Sequence, residues 1–172
     1  MSIEQTILLV DDYAPNLISL EAVLTDPSWE LLKASSGMDA LKLLLNHDVS
    51  LVLLDVQMPE MDGFEVAAMM RKNKKTQNVP ILFLTAISKE DKYIYKGYQA
   101  GAVDYLCKPL NPSILRAKVD FFMQLDKQKR ELEQKLREAR SHLDAYQQEK
   151  ARAADPDRHG RARQPREVLG PA

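Results

Sequence analysis

The sequence predicts an α/β fold, a doubly wound five-stranded parallel sheet followed by a long C-terminal helical extension. Three observations carry this expectation. Short apolar runs recur five times in about 110 residues, and segments with a helical apolar period separate them. Three of the runs, Ile7 to Val10, Leu51 to Leu54 and Ile81 to Leu84, are apolar at every position, as in strands covered by helices on both faces. After Pro112 neither proline nor glycine occurs before Pro156, so nothing breaks a long helix there.

Taken in order, the first strand is Ile7 to Val10, and Leu17, Leu20, Val23 and Leu24 form the apolar stripe of the first helix. Leu31 to Ala34 is a weaker second strand, and Leu41, Leu44 and Leu45 mark the second helix. Leu51 to Leu54 is the third strand, followed by a helix whose stripe is Phe64, Ala67 and Met70. Ile81 to Leu84 and Val103 to Leu106 are the fourth and fifth strands, with Tyr93, Tyr95 and Tyr98 on the fourth helix between them. Crossovers in such a sheet are right-handed, and ligands bind outside the carboxyl ends of its strands.

Asn111-Pro112 is a helix start, an N-cap followed by proline at the first helical position. A helix from Pro112 to Lys150 would extend roughly 58 Å at 1.5 Å per residue, far more than packing on the sheet requires. A heptad fits it, with Leu115, Phe122, Lys129, Leu136 and Leu143 at a, and Leu125, Leu132, Ala139 and Tyr146 at d. Lys129 interrupts this coiled-coil seam. In a parallel pair Lys135 at g would face Arg140 at e, so the orientation stays open. The expected organisation is a globular domain over 1–122, an extended last helix over 113–150, and a disordered tail over 151–172, rich in Arg, Pro, Ala and Gly without an apolar period.

Charge is uneven. Residues 1–112 hold 10 Lys and Arg against 15 Asp and Glu, a balance of −5, while 113–150 and 151–172 each stand at +2. An acidic first part repels nucleic acid and concentrates divalent cations. Cys107 is the single cysteine, which excludes an internal disulfide and a thiolate metal cluster. No apolar run is long enough for a bilayer, and the N-terminus lacks a signal-peptide pattern, so a cytoplasmic location without membrane association is expected.

The chemistry gathers at the strand ends. Asp11 and Asp12 close the first strand, Asp55 the third and Thr85 the fourth, while Lys108 follows the fifth. A parallel sheet brings these ends to one edge. Carboxylates crowded together raise one another's pKa unless a cation intervenes, and Mg²⁺ suits an all-oxygen site shared with phosphate. A lysine supplies a counter-charge for phosphate and a threonine hydroxyl a hydrogen bond. Any one of these residues alone reads as a turn, cap or solvated surface group. Together, in one register, they describe a phosphoryl-transfer site with a carboxylate nucleophile.

The segments ILLVDD, LVLLDVQMPEMDGFE, ILFLTA and GAVDYLCKPL resemble the receiver domain of two-component response regulators, over residues 5 to about 122. The resemblance implies a flavodoxin-like strand order, 2-1-3-4-5, and a phosphoacceptor role for Asp55. It implies that Asp12, Asp55 and the backbone carbonyl of Gln57 hold Mg²⁺, for which Mn²⁺ can substitute, with Asp11 acting through a water. Lys108, Thr85 and the Ala86 backbone would bind phosphate, Thr85 and Tyr105 would form a switch pair, and Pro109 would follow a cis bond. Asp62 would cap the third helix. The implied phosphodonor is a sensor histidine kinase or phosphotransfer protein. The implied output is a homodimer through the C-terminal helix, the face built by the fourth helix, fifth strand and fifth helix, or both. Val103 and Leu110 depart from the commoner Asp and Phe, away from the chemistry. Gln57 and Ile87 would tune the lifetime of the phosphoryl group.

Other residues and functions weigh less. His47, His142 and His159 form no cluster, and Cys107 is expected to pack as a small hydrophobe. Tyr93, Tyr95 and Tyr98 fit a partner interface or helix-to-core packing equally. The same carboxylates could serve a Mg²⁺-dependent phosphohydrolase, but no second acidic motif or substrate cap is visible. No G-x-G-x-x-G follows the first strand, which argues against a dinucleotide enzyme. The short stretch after the helix cannot form a helix-turn-helix, so direct DNA contact is not expected. A structural adaptor that oligomerises regardless of phosphate completes the alternatives. The expectation is a phosphorylation switch with self-catalysed phosphoryl acceptance and autodephosphorylation, and no enzymatic turnover on other substrates.

Overall fold

A computed structural model of the chain describes residues 4–86, 104–155, 157 and 170. Among these lie five strands, β1 (Gln5–Val10), β2 (Trp29–Ala34), β3 (Leu51–Asp55), β4 (Ile81–Thr85) and β5 (Asp104–Cys107). They form one parallel sheet in the order β2-β1-β3-β4-β5, as expected. Helices α1 (Ala14–Leu24), α2 (Gly37–Asn46) and α3 (Gly63–Lys72) connect the first four strands, and a C-terminal helix spans Pro112–Ala153. Tyr93, Tyr95, Tyr98, Ile87, Val103 and His159 lie outside the described residues.

The continuously apolar strands are explained by what covers them. Successive side chains point to opposite faces. Leu8, Val10, Val52, Leu54 and Phe83 enter one buried cluster with residues of α2 and α3. Ile7, Leu9, Leu51, Leu53, Leu82 and Leu84 enter another with α1 and the first part of the C-terminal helix. Both faces are dry, so neither alternating set can be polar.

Local signals set the helix starts. The Ser36 hydroxyl accepts from the Asp39 amide at 3.1 Å and starts α2. Asp62 accepts from the Glu65 amide at 2.8 Å, and the Glu65 carboxylate accepts from the Asp62 amide at 2.9 Å, a capping box that starts α3. The Asn111 side-chain Oδ1 accepts from the amides of Ser113 and Ile114 at 3.0 and 3.2 Å, capping the C-terminal helix.

Two expectations about packing are corrected. The buried stripe of α2 is Gly37, Ala40 and Leu44, while Leu45 is 54% exposed. Small residues decide this, because a Cβ on Gly37 would come within 2.8 Å of Val66 Cγ2, so the close approach of α2 and α3 selects the glycine side. Cys107 is exposed, since it closes β5 at the edge of the sheet.

The chain divides into two compact units, Met1–Lys129 and Arg130–Ala172. In the first, Leu115, Val119, Phe122 and Met123 of the C-terminal helix are buried. Arg116 ties that helix to the α1–β2 connection: its guanidinium lies 4.5 Å from the Trp29 ring centre and donates to Asp26 at 2.7 Å. Gln5, buried at the start of β1, donates to the Met123 carbonyl at 2.8 Å and to Asp126 at 2.9 Å. In the second unit the helix continues through Ala153, so Ala151 to Ala153 are helical where a disordered tail was expected. Ala and Arg are strong helix formers, and Pro156 disfavours helix at the residue before it. Most of the residues beyond lie outside the described ones.

Candidate functional site

Strand register assembles the site. Val10 pairs with Leu54, so Asp11 and Asp55 leave adjacent strands side by side, where the strand order reverses between β1 and β3. Asp55 pairs with Leu84, and Thr85 with Cys107, which places Thr85 and Lys108 along the same edge. The Lys108 amide donates to the Thr85 carbonyl at 2.7 Å. The Lys108–Pro109 peptide is cis.

Lys108 joins two of the carboxylates. Its Nζ lies 3.0 Å from Asp11 Oδ2 and 3.4 Å from Asp55 Oδ1. Asp11 is 1% and Asp55 6% exposed, so both acids are buried, while Asp12 is exposed. One carboxylate oxygen from each of Asp11, Asp12 and Asp55 lies within 4.8 Å of the others, the one such group of ligand-type side chains among the described residues. Burial, and then the charge of Asp11, raises the Asp55 pKa above its ordinary value, against the opposing pull of Lys108 and of the Gln57 amide. Burial works to lower the Lys108 pKa, but the hydrogen bond to Asp11 and the charges of Asp55 and Asp11 outweigh it and leave it raised. The site is therefore short of positive charge on the carboxylate side even with Lys108 present. Three oxygen ligands with that deficit fit a hard divalent cation, and Asp11, Asp12 and Asp55 are the side chains placed to hold it.

One supporting residue, Asn16, and the role of a second, Gly63, escaped the sequence reading. Asn16, in the first turn of α1, donates its amide nitrogen to Asp11 Oδ2 at 3.0 Å, and the Tyr13 amide donates to Asp11 Oδ1 at 2.9 Å. Both hold the Asp11 carboxylate in place. The available signal was position: Asn16 directly precedes buried Leu17 at the helix end nearest the strand tips. Gly63 is the other. A Cβ there would fall 2.3 Å from the Asp55 carbonyl oxygen and 3.0 Å from Val56 Cα. The Gly63 amide donates to the Val56 carbonyl at 2.9 Å, so α3 begins in contact with the backbone carrying Asp55. Between them Glu60 takes a left-handed φ of 67°.

Thr85 is 7% exposed at the end of β4. Tyr105 lies two pairs back on β5, opposite Phe83, and alternation puts the Thr85 and Tyr105 side chains on the same face. The Tyr105 ring packs 5.4 Å from Phe83, which meets Phe64 edge-on at 5.1 Å. Ala86 is exposed just beyond Thr85, and Gln57 is exposed two residues beyond Asp55. A cavity of about 280 Å³ opens beside Asp11 and Lys108, between Asn16 and Leu20 of α1 and Pro109 and Leu110. His47 caps the end of α2, its amide donating to Leu43, and His142 is exposed on the C-terminal helix.

The family model of the response regulator receiver domain matches residues 7–120. The chain belongs to this receiver family. The receiver is 38% identical over 120 residues to a protein of Vibrio cholerae named a probable cyclic di-GMP phosphodiesterase, covering 69% of this chain and 26% of that one. It is 39% identical over 114 residues to the transcriptional regulatory protein SrrA of Staphylococcus aureus, covering 65% and 46% respectively. The chain thus spans less than half the length of these curated relatives. Among solved structures, a response regulator of Chloroflexus aurantiacus superposes with TM-score 0.65 at 34% identity, covering 71% of this chain and 99% of that one. The Vibrio cholerae chemotaxis protein CheY4 gives TM-score 0.65 at 29% identity, covering 70% and 99%. No helix among the described residues is long and apolar enough to cross a membrane.

Proposed function

We propose that this receiver is a phosphoacceptor switch in which Asp55 takes the phosphoryl group of a histidine kinase or phosphotransfer protein. The observation that carries the reading is Lys108 held 3.4 Å from a buried Asp55, beside Asp11 and Asp12. In the transfer an Asp55 carboxylate oxygen bonds to phosphorus as the phosphorus–nitrogen bond of the donor's phosphohistidine breaks, and that bond's electron pair returns to the imidazole. Lys108 faces the phosphoryl oxygens and offsets their charge, while Asn16 and the Tyr13 amide keep Asp11 aimed at the cation position. A bound Mg²⁺, which Asp12, Asp55 and the Gln57 carbonyl would hold with Asp11 acting through a water, would supply the positive charge that these carboxylates need beside a phosphate. Thr85 and the Ala86 amide stand at the strand end facing the remaining oxygens.

Phosphorylation adds nearly two negative charges at Asp55. Drawing the Thr85 hydroxyl toward them frees the space above Phe83 into which Tyr105 turns, and the face around β5 changes with it. The signal continues into the C-terminal helix, through which two copies associate. The role is that of a binding switch, with no direct nucleic-acid contact, in the cytoplasm. Acetyl phosphate with Mg²⁺ should give an acid-stable, base-labile adduct on the protein. Full labelling of Asp55→Asn, or labelling indifferent to chelation, would refute the assignment.

A further inference from the structure

The second unit holds a helix with an apolar stripe that nothing among the described residues covers. Leu132, Leu136, Leu143 and Tyr146 are 69%, 55%, 54% and 57% exposed, and they fall with Ala139 on the a and d positions of one heptad frame. On the adjoining e and g positions stand Glu133 and Arg140, and Lys135 and His142, all exposed.

Charge separates the ways two such helices can pair. A parallel pair sets Lys129 on Lys129 in the seam and places Lys135 against Arg140 on both sides, with no opposite-charge contact in return. An antiparallel pair matches a to d, e to e and g to g. With Leu132 opposite Leu143 and Leu136 opposite Ala139, Glu133 meets Arg140 twice. In that register Lys129 falls opposite the Tyr146 ring, a favourable neighbour for an ammonium, and Lys135 faces His142. Sliding one helix by a heptad brings back like charges: Glu133 on Glu133 and Lys135 on Lys135 one way, Arg140 on Arg140 the other. Among the parallel pair and these antiparallel registers, only the one with Leu132 opposite Leu143 is free of Lys/Arg and Glu/Glu conflict while pairing Glu133 with Arg140 twice.

We infer that the occupant of this stripe is a second copy of the same helix, running antiparallel, with Leu132 packed on the partner subunit's Leu143 and Glu133 paired with the partner subunit's Arg140. This rests on the self-association reading above and sharpens it to an orientation and a register. A parallel arm would place the two chains' Leu132 side by side. The antiparallel arm separates them by roughly 16 Å, eleven residues at 1.5 Å each.

The test uses the full chain with Cys107→Ser, so that an introduced thiol is the only one. Protein carrying Leu132→Cys is mixed with protein carrying Leu143→Cys and oxidised. The expected result is a mixed disulfide dimer, with little dimer from either variant alone. Efficient self-crosslinking of Leu132→Cys would establish the parallel form and overturn the inference while leaving self-association intact. Absence of every crosslink together with monomeric sedimentation would overturn both, without touching phosphorylation of Asp55. Charge variants give an independent reading. Arg140→Glu should weaken self-association by on the order of tenfold, because two attractive surface pairs become repulsive. Adding Glu133→Arg should restore it. If Arg140→Glu instead tightens the dimer, it has relieved the Lys135–Arg140 conflict of a parallel arm, and the antiparallel register is wrong.

Discussion

The C-terminal helix is one element with two physical lives. Over its first turns Leu115, Val119, Phe122 and Met123 are 6% exposed or less, sealed against Ile7, Leu9 and the other residues of one sheet face. From Arg130 onward the same apolar period continues, yet Leu132, Leu136 and Leu143 are more than half exposed. The heptad spacing carries through, although the later part is more highly charged and holds fewer large apolar residues. What differs for the stripe is whether another described part of the chain covers it. An apolar stripe therefore reports a need for burial, and the fold decides whether that need is met internally or by another molecule.

The largest expected effect that would break this comparison lies in the buried part. Phe122→Ala should cost about 3 to 5 kcal/mol in unfolding free energy, as for other buried aromatics, measured by urea titration of the receiver. A cost under 1 kcal/mol would mean that the first turns contribute no more to the core than the later ones. Next comes the tie at Arg116, which contacts Trp29 and Asp26 from a partly exposed position. Arg116→Ala should lower stability by about 1 to 2 kcal/mol, and Arg116→Lys should recover only part, because an ammonium cannot donate in the guanidinium's fork to Asp26 while lying over the indole.

Titration offers a further contrast, since the raised Asp55 pKa belongs to the first unit. The folded state holds that proton more tightly than the unfolded chain, whose carboxyl has the ordinary value of 3.8. The stabilising contribution is thus complete below that value and is lost as pH rises through the folded pKa. In metal-free solution at pH 7, Asp55→Asn should unfold at a higher temperature than the wild-type chain, and the gap should close as the pH falls below the ordinary carboxylate range. A gap that widens on acidification would show the sign to be reversed. Mg²⁺ competes with the same proton, so its affinity should fall as pH drops through the raised pKa.

The smallest effect sharpens the comparison most. Leu132→Ala should change the unfolding free energy of the first unit by less than about 0.5 kcal/mol, as for an exposed position. It should weaken self-association measured by sedimentation. Loss of receiver stability equal to that of Phe122→Ala would show that this leucine is not the free surface its exposure describes.

Much of the site was legible because it is written in residue types that local structure cannot explain. Acids at two strand ends, a threonine at a third and a lysine after a fourth have no common structural purpose, and strand alternation with parallel pairing brings them to one edge. Asn16 and the role of Gly63 were not legible in the same way. Each acts through a contact that depends on the approach of a helix to a strand end, 3.0 Å for the Asn16 amide and a would-be 2.3 Å clash at Gly63. Such approach distances follow from packing, which no periodicity reports. The same holds for α2, where pattern favoured Leu45 and close packing chose Gly37 and Ala40.

By itself, then, the sequence determined the strand runs, the parallel class of the sheet, the acidic edge and the heptad of the last helix, because these depend on residue type and spacing. The tertiary structure decided which half of that helix is core, which carboxylates are buried beside Lys108, and which face of α2 is inside. These depend on which surfaces meet. The free energy of burial and the desolvation of charge act only once the distant pieces of the chain are in contact.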